Sequence, residues 1–346
     1  MKLTELFGIR LPIIQAPMAG AQAGAMAIAV SNAGGLGSLP CAVLTPETLR
    51  KELDLIKAQS DKPYNVNFFC HAEVAVDPAR ESKWREALAP HYKHFGIDAA
   101  AIPTSAGRAP FSEEFADVLE SYRPPVVSFH FGLPSAQLLA RVKSWGSKIV
   151  SSATTVDEAR WLEGHGVDAI IAQGLEAGGH RGIFLTDDLS TQVGTFSLLP
   201  QVIRAVKSPV IAAGGIADAQ GVAAAMALGA AGVQLGTAYL LCPESLVSNI
   251  HRQALKSNAA RHTALTNIFT GRPARGIVNK VMREMGAINP LAPAFPLATS
   301  AIAPLRAKAE AQGLGDFTPL WSGQNATGCK EIPAGDLTRE LAAKLL

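Results

Sequence analysis

The stretch "PVIAAGGIADAQGVAAAMALGAAGVQLGTA", Pro209 to Ala238, holds one complete structural repeat. An apolar run, Pro209 to Ala213, stops at Gly214 and Gly215. A helical pattern of small residues follows from Ala219 to Leu228. A second apolar run, Gly232 to Leu235, stops at Gly236 and Thr237. Runs that are apolar throughout, rather than at alternate positions, belong to strands buried on both faces, and a helix between two of them makes the strands parallel. The segment from Gly221 to Leu241 has the length of a membrane span, but its glycines and Gln234 divide it into a helix and a strand.

The same unit recurs along the chain. Further strand candidates are Pro12 to Ala16, Leu36 to Leu39, Tyr64 to Phe69, Pro125 to His130, Lys148 to Ser152 and Asp168 to Gln173. Helical patterns follow at Ala21 to Ser31, Pro46 to Gln59, Ser135 to Trp145, Thr155 to His165 and Ser245 to Leu255. Eight such units in about 250 residues predict an α/β fold, the (β/α)₈ TIM barrel. A doubly wound sheet would carry G-x-G-x-x-G after its first strand, which is missing. "NAGGLGS", Asn32 to Ser38, lies between a helix and a strand and reads as a tight turn.

This reading makes residues 1–255 the barrel, with an insertion at 71–124 after the third strand. The insertion carries helical patterns at Arg80 to Phe95 and Ser112 to Tyr122. Residues 256–346 are expected to form helices and loops packed over the barrel mouth.

Composition narrows the partners. With 48% hydrophobic residues, 17% charged residues and a net charge of +2, the chain has a full core and no basic block for nucleic acid or a membrane surface. Cys41, Cys70, Cys242 and Cys329 lie far apart, so reduced thiols are expected, with no disulfide framework and no metal site. Arg10, Pro12, Gln15 and Pro17 interrupt the apolar amino terminus, which reads as no export signal and places the protein in the cytoplasm.

In a barrel of this kind chemistry sits at the carboxyl ends of the strands. Those ends are Gln15 to Gly20, Asn65 to Asn67, His130 to Gly132, Gln173 to Gly174, Gly214 to Gly215 and Gln234 to Thr237. They are amides, glycines and histidines, with no carboxylate pair for glycosidase or divalent-metal chemistry. The loops after strands seven and eight commonly bind phosphate, which points Gly214, Gly215, Gly236 and Thr237 at a phosphate-bearing ligand. Asn67 and Gln173 each offer donor and acceptor, suiting the edge of an isoalloxazine ring, and the ligand inferred is FMN. "AQGLEAGGHRG", Ala172 to Gly182, adds a histidine, His180, held among glycines. Glu176 and Arg181 beside it read as exposed loop charges.

Together "PIIQAPMAGA", "NVNFFCH", "SFHFGLP", "QGLEAGGHRG", "AAGGIAD" and "QLGTAYLLCPES" resemble the class I nitronate monooxygenases, formerly 2-nitropropane dioxygenases. The likeness resumes in "TNIFTGRPARGIVN" and "LWSGQNATGCKEIPAGDL", so it covers nearly the whole chain. It implies an FMN barrel, monomeric or homodimeric, that oxidises alkyl nitronates with dioxygen. Propionate 3-nitronate is the suggested substrate; the products are a carbonyl compound and nitrite or nitrate. By position, Met18, Asn67, Gln173, Gly178, Gly215, Gln234, Leu235, Gly236 and Thr237 would contact FMN. His180 would be catalytic, in a substrate pocket that His130 either lines or supports as a packed side chain. The alternatives are an NAD(P)H-dependent flavin reductase of the enoyl-acyl carrier protein reductase type and a non-redox phosphate-binding barrel.

Overall fold

The computed structural model describes residues 2–103 and 108–345. All eight expected barrel strands form, within two residues of the predicted ends. They are β1 (Ile13–Gln15), β2 (Gly37–Pro40), β3 (Tyr64–Phe69), β4 (Val126–His130), β5 (Lys148–Ala153), β6 (Ala169–Gln173), β8 (Val210–Ala213) and β9 (Gly232–Leu235); a two-residue strand, β7 (Gly179–His180), lies outside the barrel. The order β1-β9-β8-β6-β5-β4-β3-β2 is parallel throughout, and a parallel bridge between Ile14 and Leu36 brings β1 against β2 and completes the ring.

Side-chain alternation separates two apolar layers. Val66, Phe68, Val127, Phe129, Ile149 and Ile170 face outward and join the helices in the principal core. Ile14, Leu36, Val126, Val150, Ile171 and Ile211 cluster with Leu3 and Phe7 of the amino-terminal helix Leu3–Phe7. Each large apolar side chain buried in this way contributes about 1.5–3 kcal/mol. Nearer the carboxyl ends the interior turns polar: Asn65 Nδ2 donates to Ser38 Oγ (3.0 Å) and Ser128 Oγ (2.9 Å). The barrel is thus filled with hydrocarbon at one end and lined with hydrogen-bonding groups at the other.

The connecting helices begin where the sequence supplies caps. Thr45 accepts from Thr48 N ahead of Pro46–Gln59, and Ser135, Thr155 and Asp218 do the same for later helices. The helix expected from Ser245 begins at Asn249, capped by Ser248. The long segment after β6 contains a further helix, Thr195–Ala205.

The tail also contains two strands, β10 (Thr263–Thr266) and β11 (Ala274–Ile277), which form an antiparallel hairpin whose β11 pairs with β7. Helix Pro78–Phe95 of the insertion shares a second core with tail helix Ala298–Ala311. There Trp84, Leu88 and Tyr92 meet Ala301, Ile302 and Leu305, and Tyr92 Oη donates to the Ala301 carbonyl (2.6 Å). All four cysteines are free thiols, with Cys41 and Cys242 buried. Among the described residues no helix is long and apolar enough to cross a membrane, and no cluster of His, Cys, Asp or Glu is suited to a metal.

Helix Gly24–Asn32 lies so close to β2 that a Cβ on Gly37 would fall 2.6 Å from both Cα and C of Ala27. Backbone cannot yield as a side chain does, so Gly37→Ala is expected to destabilise the fold by about 3 kcal/mol. Urea unfolding checks this; an unchanged midpoint would mean that the strand and helix are not in this contact.

Candidate functional site

A cavity of about 530 Å³ opens at the carboxyl ends of the strands. Every residue assigned to the site from sequence lines it: Met18, Asn67, His130, Gln173, Gly178, His180, Gly214, Gly215, Gln234, Leu235, Gly236 and Thr237. Tail residues Thr270, Trp321 and Gly323 complete the wall.

At one end, β8 runs into Gly214 (φ +112°) and Gly215 (φ +73°), and β9 runs through Gly236 into the short 3₁₀ helix Thr237–Leu241. Among the described residues no protein acceptor takes the N–H groups of Gly214, Gly215, Gly236 or Thr237. Converging N–H groups at a helix start make an anion cradle. Thr237 is also tied to the tail, since its Oγ1 accepts from Gly323 N (2.9 Å). Gly178 reflects the same tie: a Cβ there would lie 2.5 Å from Gly323 N and 2.6 Å from Ser322 C, so the tail backbone excludes a side chain.

At the other end stands His180. Its Nε2 is 2.9 Å from Thr270 Oγ1, and its ring is surrounded by Phe69, Phe131, Phe295 and Trp321, with centroids 5.4–6.0 Å away. Phe131 adopts φ +68°, a strained conformation for an aromatic residue, in the turn that follows β4. The His180 ring opens onto the cavity yet sits deep among protein atoms. Burial first, then the charge of Arg108 and, with a smaller effect, that of Arg272, hold its pKa well below the ordinary value, so the imidazole is neutral.

The other predicted polar residues hold His180 in place. The His180 carbonyl accepts from His130 Nε2 (3.2 Å) and from Gln173 Nε2 (3.0 Å). Because Nε2 of His130 donates, its Nδ1 accepts a hydrogen bond from the Ser152 hydroxyl (2.6 Å); both ring nitrogens are used, and burial pushes its pKa down to about 3. Gln173 Oε1 accepts from Gly182 N (2.7 Å). Asn67 Nδ2 donates to the Ser128 carbonyl (3.2 Å) and hydroxyl (2.9 Å). What Asn67 and Gln173 retain for a ligand is the Asn67 Oδ1 and one N–H of Gln173.

Two charged residues differ from expectation. Arg181 is fully buried, not exposed: its guanidinium donates to the carbonyls of Gln173 and Gly174 (both 2.7 Å) and to Gln192 Oε1 (3.0 Å). Its own N–H pairs with the Pro273 carbonyl of the tail (2.8 Å), which orients the side chain under the end of β6. Glu176 is half-buried and accepts from Thr195 N (2.8 Å) and Oγ1 (2.9 Å). Sequence reasoning also missed Arg108, which lines the cavity, and Arg272, whose guanidinium carbon stands 4.1 Å from the centre of the Phe131 ring. The signal each offered was an arginine directly after a glycine, Gly107-Arg108 in the insertion and Gly271-Arg272 in the tail motif.

With this geometry in view, the sequence model described as nitronate monooxygenase matches residues 1–344. The chain belongs to the nitronate monooxygenase family. It is an enzyme, an oxidoreductase. It is 42% identical to the nitronate monooxygenase of Paraburkholderia phytofirmans, over 99% of this chain and 94% of that relative. A solved nitroalkane oxidase from Streptomyces ansochromogenes superposes with a TM-score of 0.89 at 38% identity, covering 99% of this chain and 97% of that one. FabK from Thermotoga maritima is more distant, with a TM-score of 0.72 and 29% identity over 99% of this chain and 94% of its own.

The buried histidines make stability depend on pH. His130 titrates near 6.5 in the unfolded chain and at about 3 when folded, so between these values the unfolded state binds the extra proton. Stability is complete above pH 6.5 and falls as the pH drops towards 3, by about 1.4 kcal/mol per unit for each such group. His251, lowered to about 4 by burial, acts in the same direction. Urea unfolding at pH 6.5, 5.5 and 4.5 should show this slope, and His130→Asn should reduce it by about one proton. A flat profile would contradict the buried, neutral state of these rings.

Proposed function

We propose that the cavity binds FMN and that the chain uses it to oxidise alkyl nitronates with dioxygen, releasing a carbonyl compound and nitrite or nitrate. The observation that carries this reading is the pairing of converging N–H groups without a protein acceptor among the described residues at one end with a neutral His180 among arginines at the other. The cradle of Gly214, Gly215, Gly236 and Thr237 suits the phosphate. Asn67 Oδ1 and the Gln173 N–H suit the ring edge, and Met18 lies 3.4 Å from where a Cβ on Gly236 would stand, closing that side with a flexible thioether. FMN, when bound, supplies the electron acceptor for the nitronate.

The protein's part is binding and placement. Thr270 Oγ1 is closer to His180 Nε2 (2.9 Å) than to the Arg272 carbonyl (3.4 Å). With the hydroxyl donating to Nε2, the ring proton resides on Nδ1 and points a donor at a nitronate oxygen. A nitronate is already deprotonated, so the reaction needs no strong base. His180, with its depressed pKa, is a poor base for the α-carbon of a neutral nitroalkane. The phenylalanines and Trp321 exclude water from the reacting end.

The purified protein is expected to release non-covalent FMN on acid treatment. With propionate 3-nitronate it should consume dioxygen without NADH or NADPH. Release of FAD would overturn the FMN assignment, and turnover that requires a nicotinamide would favour the reductase reading, which the likeness to FabK supplies.

His180→Ala should keep FMN and lower kcat/KM for a pre-formed nitronate by about 10- to 100-fold, the value of a hydrogen bond to a charged group. Wild-type turnover of neutral nitroalkanes should follow their spontaneous ionisation. Steady-state kinetics on both substrate forms checks this, and a flavin-replete variant with wild-type rates would remove His180 from the reaction.

A further inference from the structure

At the reacting end of the cavity stands a cation that no side chain among the described residues neutralises. Arg108 lines the cavity, its guanidinium carbon 5.9 Å from the centre of the Phe295 ring, and that ring lies 5.4 Å from His180. Among the described residues no carboxylate pairs with Arg108. The one acidic side chain lining the cavity, Glu176, lies at the cradle end, beside Gly215 and bound to Thr195.

The neighbouring arginines are all engaged. Arg181 is taken by the carbonyls of Gln173 and Gly174, Arg272 by the Ile183 carbonyl and the face of Phe131, and Arg306 by Glu310. Burial lowers the Arg108 pKa, which reflects the cost of keeping this charge away from water. A desolvated cation is costly unless an anion completes it, and a guanidinium fork matches a carboxylate with two parallel hydrogen bonds.

We propose that Arg108 binds a carboxylate on the alkyl tail of the nitronate whose head is held at His180, making it the residue that selects carboxylate-bearing nitronates. The inference rests on the nitronate reading above. Arg108 and His180 both stand within 6 Å of the centre of the Phe295 ring, and the Arg108 charge acts on His180, so anions held at the two are separated by a short alkyl chain. Phe295 packs against that chain.

The test compares propionate 3-nitronate with propyl-1-nitronate, which lacks the carboxylate, in wild type, Arg108→Met and Arg108→Lys, with flavin content and circular dichroism checked. Arg108→Met should lose about 30-fold or more in kcat/KM for the substrate with the carboxylate, mostly through KM, and at least tenfold less for the one without it. Arg108→Lys should recover part of the loss. Equal losses on both substrates, or an unchanged preference, would overturn the assignment.

Calorimetric binding of 3-nitropropionate at pH 6.5, with 1-nitropropane as the uncharged control, needs no turnover. Weaker binding of the carboxylate alone in Arg108→Met supports the anion site even if neither nitronate is oxidised, an outcome that would overturn the functional reading instead. Equal binding of 3-nitropropionate by wild type and variant overturns the proposal by itself.

Discussion

The buried guanidinium of Arg181 ties three parts of the molecule together. It bonds the carbonyls at the end of β6 and Gln192 in the following segment, while its own backbone joins the tail at Pro273. This clamp fixes the turn that carries Gly178, Gly179 and His180, and the pairing of β7 with β11 continues it by two residue pairs. Without a carboxylate to neutralise it, the cation needs all of these acceptors, because a buried charge left short of partners costs several kcal/mol. The position of His180 follows from that requirement, reinforced by the bonds from His130 and Gln173 to its carbonyl.

Electrostatics then separates the two ends of the cavity. At the cradle the positive character comes from backbone N–H groups and a helix start; at the reacting end it comes from Arg108 and Arg272, which also keep His180 neutral. Both ends favour anions by different means. The proposed roles use this division: the fixed dipoles suit a phosphate, and the side-chain cations and neutral imidazole suit a substrate that arrives already charged.

The barrel was legible because its strands are apolar on both faces and end in glycine, as in Val210–Ala213 and Gly232–Leu235. The lining of the site was legible for the same reason, since strand ends in this fold converge. The hairpin was not. β10 and β11 hold Thr263, Thr266 and Arg275, too polar for the apolar-run rule, and β7 is two residues long and exists only because β11 pairs with it. Arg181 was misjudged because a polar loop residue reads as exposed, whereas its burial depends on acceptors up to 92 residues away, such as Pro273. Gly178 lines the cavity as expected, and a Cβ there would also meet the backbone at Ser322 and Gly323, a contact that no local pattern announces.

The central claim is that this cavity passes electrons from a nitronate, and not from a nicotinamide, to a bound flavin. Anaerobic mixing of the purified protein with a pre-formed alkyl nitronate and, separately, with NADH and NADPH, while the visible spectrum is recorded, tests it most directly. The account predicts that the flavin bands change with the nitronate and stay unchanged with either nicotinamide. Bleaching by NADH or NADPH with no response to the nitronate would contradict it.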